Sequence, residues 1–518
     1  MKKIFSNIII IAAAIFALSA CSLKEHPYGV YSNETFFLTE ADAENALMYA
    51  YVPLNYIEYC QRFTFYIADG MTDEFNDYGL GNESIMSWDV SQTTEEMLYL
   101  FKSAYISLAR TNTVIEEVDK MDISQEKKNR YIGEAYFLRA YNHFILAINW
   151  GEIPLRTKAV VGVQDTFVQP DKIPDVWAQI IADLEKAESL LQINKVQGRT
   201  DKIAAEALLS RVYLYLASYK ATGSPGYEWV EDADAMYAKS VEYADKVIYG
   251  QSTYALSESI DDIYDVTKQN TCPEHIFITG MNREASGMEG TYAQLPCLWT
   301  IQIQDYVYVS EKLEPETDPE TGKVKVMKMI DYDNAWQTFR VDYRWKADHF
   351  TNDDLRSKLM VETVYTADGD VYMTYDPQNQ FSNNPTLCKY FFPFCRKYSD
   401  PISVKTHTSS NMYLIRMGEI YLNYAEAAGP TEKGYECVNA VRARAGLPAV
   451  EPGLSVEDFR DVVREERVKE LCFEAHYLYD LRRLHRVDSE HIKYRKFMDA
   501  YTYFFPFPQR ESDLNPAK

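Results

Sequence analysis

Histidine is scarce, with only 8 in 518 residues, and His485 with His491 is the one close pair. Metal centres and acid–base sites built on clustered imidazoles have little material here. Cysteine is thin as well: 8 in all and no CxxC pair, which excludes a thiolate zinc cluster. Beyond Cys21 an odd set remains, Cys60, Cys272, Cys297, Cys388, Cys395, Cys437 and Cys472, expected mainly as small buried hydrophobes, with one or two bridges allowed in an exported setting. Positive charge is also short. Lys and Arg number 53 against 77 Asp and Glu, a formal −24 that repels phosphate backbones and anionic headgroups and excludes nucleic acid as a partner. GxSxG, HExxH, Walker and dinucleotide-binding patterns are missing from the places where they would carry chemistry.

What is present is a long chain with 47% hydrophobic residues, enough for a large core in roughly two to four domains. Aromatic residues reach 14%, with 41 Tyr, 24 Phe and 7 Trp. Amphipathic rings serve a core or a surface for flat, partly apolar ligands, and composition does not separate the two. Lys2 and Lys3 precede an apolar run, Ile8 to Leu18, too short to stay in a bilayer as a spanning helix. It reads as a secretory leader over residues 1–20. Leu18-Ser19-Ala20-Cys21 resembles a bacterial lipobox, so Cys21 is the expected acylation site and 21–32, with Pro27 and Gly29, a short tether. Several acyl chains, at about 0.8 kcal/mol per buried methylene, would hold the protein to outer-membrane lipid.

Apolar periodicity and caps predict helices over about 38–59, 96–120, 125–149, 174–191, 201–220 and 233–248. Ser124 is placed to cap the third and Pro174 to open the fourth. Ala204, Leu208, Val212 and Leu216 recur every four residues as one apolar stripe. From 251 to 410 the pattern changes to Pro, Gly, Asn and Asp breaks between runs such as EHIFITG, DYVYVSE, KLMVETVYT and DVYMTY, which predict short strands in a loop-rich insert. Helices return at about 412–428, 431–445, 455–475 and 476–487. The expected fold is therefore mainly α, with two helical parts, 33–250 and 411–518, completing one scaffold around the 251–410 insert. Inserted loops of this kind are suited to form a binding face.

Carboxylates are plentiful, and two clusters stand out: Asp73, Glu74 and Asp77, then Asp353 and Asp354. Oxygen ligands suit a structural calcium ion, and a carboxylate pair suits glycoside hydrolysis only at a fixed separation across a sugar. Solvated loops and helix caps are the simpler expectation. Along VREERVKELCFEAHYLYDLRRL, Glu466, Glu470 and Glu474 share one helix face, with Arg467, Arg482 and Arg483 placed to answer them. Such a row is worth little if solvated and becomes a structural element if buried.

Several segments then resemble one family. YLIRMGEIYLNYAEA at 413–427, CVNAVRARAGLP at 437–448, EERVKELCFEAHYLYDLRRL at 465–484 and the closing FFPFPQRESDLNP, with Pro506, Pro508, Glu511, Asn515 and Pro516, look like SusD/RagB outer-membrane nutrient-binding lipoproteins. GEAYFLRAYNHFILAINWGEIPL at 133–155 and the lipobox agree in order. Ala475 and His476 depart from the Gly and Arg of many relatives, and Leu484-His485 from an Arg/Lys-Trp type ending. The resemblance implies a helical scaffold of four tetratricopeptide-like helix pairs with an irregular ligand-binding portion. It also implies a non-catalytic role without a required cofactor: capture of glycan, in some relatives peptide or another nutrient, and delivery to a SusC-like TonB-dependent barrel from the extracellular side of the outer membrane. A surface glycoside hydrolase is the alternative from a different class, and a purely structural helix-repeat adaptor a third.

A neutral glycan offers apolar CH faces rimmed by hydroxyls and calls for exposed rings flanked by amides, carboxylates or guanidinium groups. The expected platforms are Tyr78 and Trp88, then Trp299, Tyr306 and Tyr308, with Asn76, Asn82, Gln302 and Asp305 beside them and Arg340 or Arg344 contributing. Trp336 and Trp345 stand behind these because their surroundings also suit packing.

Overall fold

The computed structural model describes residues 36–77, 83–162, 165, 167–284, 293–300, 308–330, 336, 338–376, 393–405, 407–494 and 501–514. The leader, Cys21, the tether, Cys388 and the Asn515-Pro516 ending lie outside them. The amino-terminal body is built of α1 (Glu40–Tyr51), α2 (Glu95–Val118), α3 (Gln125–Trp150), α4 (Ile173–Leu190), α5 (Lys202–Thr222) and α6 (Ala233–Tyr249). Local chemistry sets their starts. Thr39 and Asp42 form a reciprocal capping box, while Ser124, Asp201 and Asp232 accept the N–H groups of Lys127, Ala204 and Ala235. Pro174 occupies the first turn of α4, where its missing N–H costs nothing. The first helix is shorter than its apolar pattern predicts, because the chain passes at Pro53 into a tighter turn over Val52–Asn55 and a wider one over Ile57–Gln61.

Sequence neighbours pack on one another, α2 on α3, α3 on α4, α4 on α5 and α5 on α6. The stripe expected on α5 is too narrow: every residue from Ile203 to Tyr219 is buried. Alanines at 204, 205 and 207 allow close approach of neighbouring backbones, and the charge of Arg211 is met by Glu419, with Nε donating at 2.5 Å. After α6 the array resumes across the strand-bearing stretch: α6 packs on α7 (Met417–Ala428), and α7 on α8 (Glu432–Arg444) and α9 (Val456–Glu470). The short α10 (Tyr477–Arg483) returns to α5.

Between these parts the strands are short and antiparallel. β1 (Phe75–Asp77) pairs with β5 (Phe339–Val341), β2 (His275–Ile278) with β10 (Tyr413–Arg416), and β6 (Met360–Val361) with β9 (Phe394–Cys395). A four-stranded sheet has the order β4 (Val326–Lys328), β3 (Tyr308–Ser310), β7 (Thr363–Tyr365), β8 (Val371–Thr374). The helix predicted from 412 thus begins only at Met417. Its first residues, YLIR, are drawn into β10 by a partner strand far away in sequence.

Burial decides the reading of the charged row. Glu466, Glu470 and Glu474 are buried, but their partners are not the three arginines expected from the same segment. Arg356 meets Glu466 and Glu470 at 2.6 and 3.1 Å, Arg416 meets Glu470 and Glu474 at 2.5 and 2.8 Å, and Lys397 meets Glu474 at 2.6 Å. Glu274 joins through Arg416 at 2.7 Å and through Arg444. Arg467 and Arg483 instead grip Asp480 and Glu426, and Arg482 lies over the Phe505 ring. Three-dimensional packing, not spacing along one helix, chooses these pairs. The six described cysteines are buried free thiols.

Candidate functional site

The β1–β5 pairing places two stretches of candidate residues side by side, with Asn76 opposite Arg340 and Asp77 opposite Phe339. Phe75 and Phe339 turn inward and meet at 4.8 Å between ring centroids. The indole of Trp299 lies against both, and also against Phe65, Tyr398 and Phe473. Rings from the amino-terminal body, the strand-bearing stretch and the carboxy-terminal helices thus meet around one tryptophan. Just before β5, the Trp336 N–H donates to the Cys297 carbonyl at 2.8 Å, tying that approach to the short helix Leu295–Trp299. The indole of Trp336 is 37% exposed.

Several expected platforms are therefore corrected. Trp299 has no exposed surface and is the hub of the core just described. Trp88 is equally buried; its Nε1 donates to the Met71 carbonyl at 2.8 Å, so neither its face nor its polar edge is offered to solvent. Arg340 is buried on β5. Arg344 keeps a solvent-facing portion, but Asp342 holds its guanidinium at 2.6 and 3.0 Å and the Tyr494 ring lies 4.5 Å beneath it. Tyr308 is half-buried on β3, opposite Lys328 and Tyr365, in a sheet separate from β1–β5. Tyr78, Asn82, Gln302, Asp305 and Tyr306, and the side chain of Asn76, lie outside the described residues. Trp336, ranked second by its sequence surroundings, is exposed; Trp345, ranked with it, is buried against Phe350, Phe473 and Tyr477.

The acidic cluster next to β1 does structural work. Asp73 accepts the N–H groups of Lys493 and Tyr494 at 2.6 and 3.1 Å, and Glu74 that of Phe473 at 2.7 Å. Asp69 accepts from Ala475 and Tyr477 at 2.7 and 3.1 Å. Burial raises Asp69 to about 7 and, with the Asp69 charge beside it, raises Glu74 well above the carboxylate range. Asp354 caps the turn Leu355–Leu359 and pairs with Arg356 at 2.8 Å. Among the described residues no group of three or more His, Cys, Asp or Glu is arranged to hold a metal ion.

Stacked helices interrupted by a loop-and-strand region, whose acids anchor backbone and whose face carries an exposed ring, define a binding scaffold. The chain belongs to the SusD/RagB family. A model described as "SusD family" matches residues 273–517, and one described as "Starch-binding associating with outer membrane" matches 32–214. The chain is 24% identical to SusD-like protein P2 of Formosa agariphila over 93% of its own length and 91% of that protein's. With a SusD-like protein of Bacteroides ovatus it shares 23% identity over 92% and 82%. Among solved structures, a laminarin-binding SusD-like protein superposes with a TM-score of 0.70 at 19% identity, covering 92% of this chain and 98% of the other. Surface glycan-binding protein A from Bacteroides thetaiotaomicron, in complex with laminarihexaose, does so at 0.67 and 20%, with the same coverage. Family membership makes the protein a non-catalytic binding protein associated with the outer membrane.

Proposed function

We propose that the protein captures glycan at the cell surface and passes it to a TonB-dependent barrel of the SusC type, held to the outer membrane through acylated Cys21. The observation that supports the capture reading is the pairing of β1 with β5, which brings the amino-terminal body and the strand-bearing stretch together three residues from the exposed Trp336. Two structural neighbours, named for binding laminarin and for a laminarihexaose complex, support a glycan as the ligand. In this reading the helical parts 33–250 and 411–518 are the platform and the 251–410 insert supplies most of the ligand face. An exposed indole stacks on the CH face of a sugar while nearby polar groups meet its hydroxyls. Tyr78, Asn76, Asn82, Gln302, Asp305 and Tyr306 remain contacts proposed from sequence, with Arg344 at the margin.

The test is a binding screen of the purified protein against defined polysaccharides and peptides, followed by Trp336→Ala on the best ligand. A hot-spot ring is worth about 2 kcal/mol, or roughly 30-fold in affinity. Binding of peptides but of no polysaccharide would reject the glycan reading, and full affinity in the Trp336 variant would reject this choice of face.

A further inference from the structure

The strand-bearing stretch encloses a cavity of about 350 Å³ that Trp336 does not line, between the β3 and β7 strands and the turn Leu355–Leu359. Its size falls in the range of small-molecule sites, roughly 300–1,000 Å³. Its charge is opposite to that of the chain. Arg396, Lys346 and Lys358 line it against a single carboxylate, Glu362, in a protein with a formal −24.

Arg396 is the group that needs a partner. It is 6% exposed, and neutral oxygens alone hold its guanidinium. Nη1 donates to the Ser310 hydroxyl and the Lys312 carbonyl, both at 3.4 Å, and Nη2 donates to the Glu311 carbonyl at 3.0 Å. Among the described residues no carboxylate comes within ion-pair distance of this guanidinium. Arg356, Arg416 and Arg483, also buried, each hold carboxylates at bonding distance, whereas buried Arg482, like Arg396, donates to backbone carbonyls. A buried guanidinium held by neutral oxygens, with its nearest carboxylate beyond ion-pair distance, keeps part of its desolvation cost, and a ligand anion at bonding distance would reduce it. Arg396 also lines a neighbouring cavity with Asp261, Asp262, Asp265 and Glu311; Asp261 acts on it through space there but accepts the Leu313 N–H at 3.0 Å and forms no ion pair with it. Lys346 is matched by Glu362 at 2.8 Å, whereas Lys358 forms no ion pair among the described residues. Ser357 and Thr363 add hydroxyls to the same wall.

We propose that this cavity binds the anionic oxygen group, carboxylate or sulfate, of an acidic sugar residue, with Arg396 and Lys358 as its charged donors. The inference rests on the glycan-capture reading and narrows its ligand class. Arg396 sits too deep to be removed without disturbing the fold, so Lys358, nearer the surface, is the residue to vary. The intact protein is titrated calorimetrically with a galacturonate trisaccharide, a sulfated galactose oligosaccharide and a neutral glucose hexasaccharide, at low and high salt. An acidic ligand binds and weakens as salt rises; Lys358→Gln lowers its affinity about fivefold and Lys358→Glu abolishes binding. Neutral-glycan binding is unchanged in both variants. The acidic ligand that responds distinguishes carboxylate from sulfate. Acidic binding that survives Lys358→Glu, or that matches neutral binding at both salt levels, overturns the proposal and leaves glycan capture standing. Absence of binding to every glycan overturns both.

Discussion

The carboxylate of Asp69 accepts the backbone N–H of Ala475 at 2.7 Å across 406 residues of sequence. Ala475 has φ +62°, and Phe473, held by Glu74, has φ +59°, so two buried acids clamp a turn that L side chains adopt at a cost. Gly adopts this left-handed backbone without the clash that a Cβ brings. Ala475→Gly removes the Cβ penalty and is expected to raise stability by about 0.5–1 kcal/mol after the greater freedom of Gly in the unfolded chain is counted. Urea denaturation at neutral pH reads the change; a loss of stability would show that the Cβ contributes packing that outweighs its strain.

The same clamp gives a pH signature. Burial raises Asp69 to about 7, far above its value in an unfolded chain. A raised acid contributes stability that is complete below the unfolded value, near 4, and is lost as pH rises through about 7. Buried His143, lowered to about 3, and His476, lowered to about 4, act with the opposite sign, losing stability as pH falls below about 6.5. The clean measurement is therefore a difference. Asp69→Asn is expected to cost more at pH 4.5 than at pH 8, by roughly 1–3 kcal/mol. A penalty that does not change with pH would mean that Asp69 is ionised throughout.

The ion lattice on α9 is predicted to tolerate almost no trimming. Arg416 touches Glu274, Glu470 and Glu474, and a methyl group added at Gly418 would lie 2.5 Å from its Nη1 and 2.9 Å from Glu470 Oε1. Arg416→Met leaves buried carboxylates with fewer cations and is expected to cost about 3–5 kcal/mol. Gly418→Ala pushes on the same atoms and should also destabilise. The exposed Lys172–Glu152 pair, at 2.8 Å, is the control, and Lys172→Ala should cost under about 1 kcal/mol. Equal small losses in thermal unfolding at both places would show that the lattice is solvated in solution.

Local signals made the helical frame legible. A stripe with Ser124 before it predicts 125–149, and α3 is Gln125–Trp150; Pro174 likewise marks the first turn of α4, Ile173–Leu190. Signals of long range were not legible. YLIR continues the apolar rhythm of α7, and only its pairing with His275–Ile278 makes it a strand. Trp88 and Trp299 sit among turn residues and looked available, yet rings from segments distant in sequence cover Trp299, and the Met71 carbonyl satisfies Trp88. Exposure of a ring is a property of what packs on it, so sequence named Trp336 and Trp345 together and only the tertiary structure separates the exposed one from the buried one.

That distinction can be measured with the two indoles. Trp299→Ala empties a pocket lined by Phe65, Phe75, Phe339, Tyr398 and Phe473, and is expected to cost about 3–5 kcal/mol of stability. Trp336→Ala, at a solvent-facing position, should change stability by about 0.5 kcal/mol or less. Chemical denaturation of both variants decides. A large loss at Trp336 would place it in the core and remove it as a platform.

The proposed anchoring through Cys21 can be tested separately from ligand binding. The first described residue is Phe36, and the lipobox with Cys21 lies outside the described residues. One acyl chain binds membranes only marginally, whereas the two or three chains of a processed lipoprotein give stable attachment. No described helix is long and apolar enough to cross a membrane. Cys21→Ala is therefore expected to abolish labelling by a palmitate analogue and to move the protein from the outer-membrane fraction to the soluble fraction, with glycan affinity of the purified protein unchanged. Retention of the variant in the membrane fraction after a high-salt wash would mean that a protein partner or a second lipid site holds it, and the acyl-anchor proposal would fail.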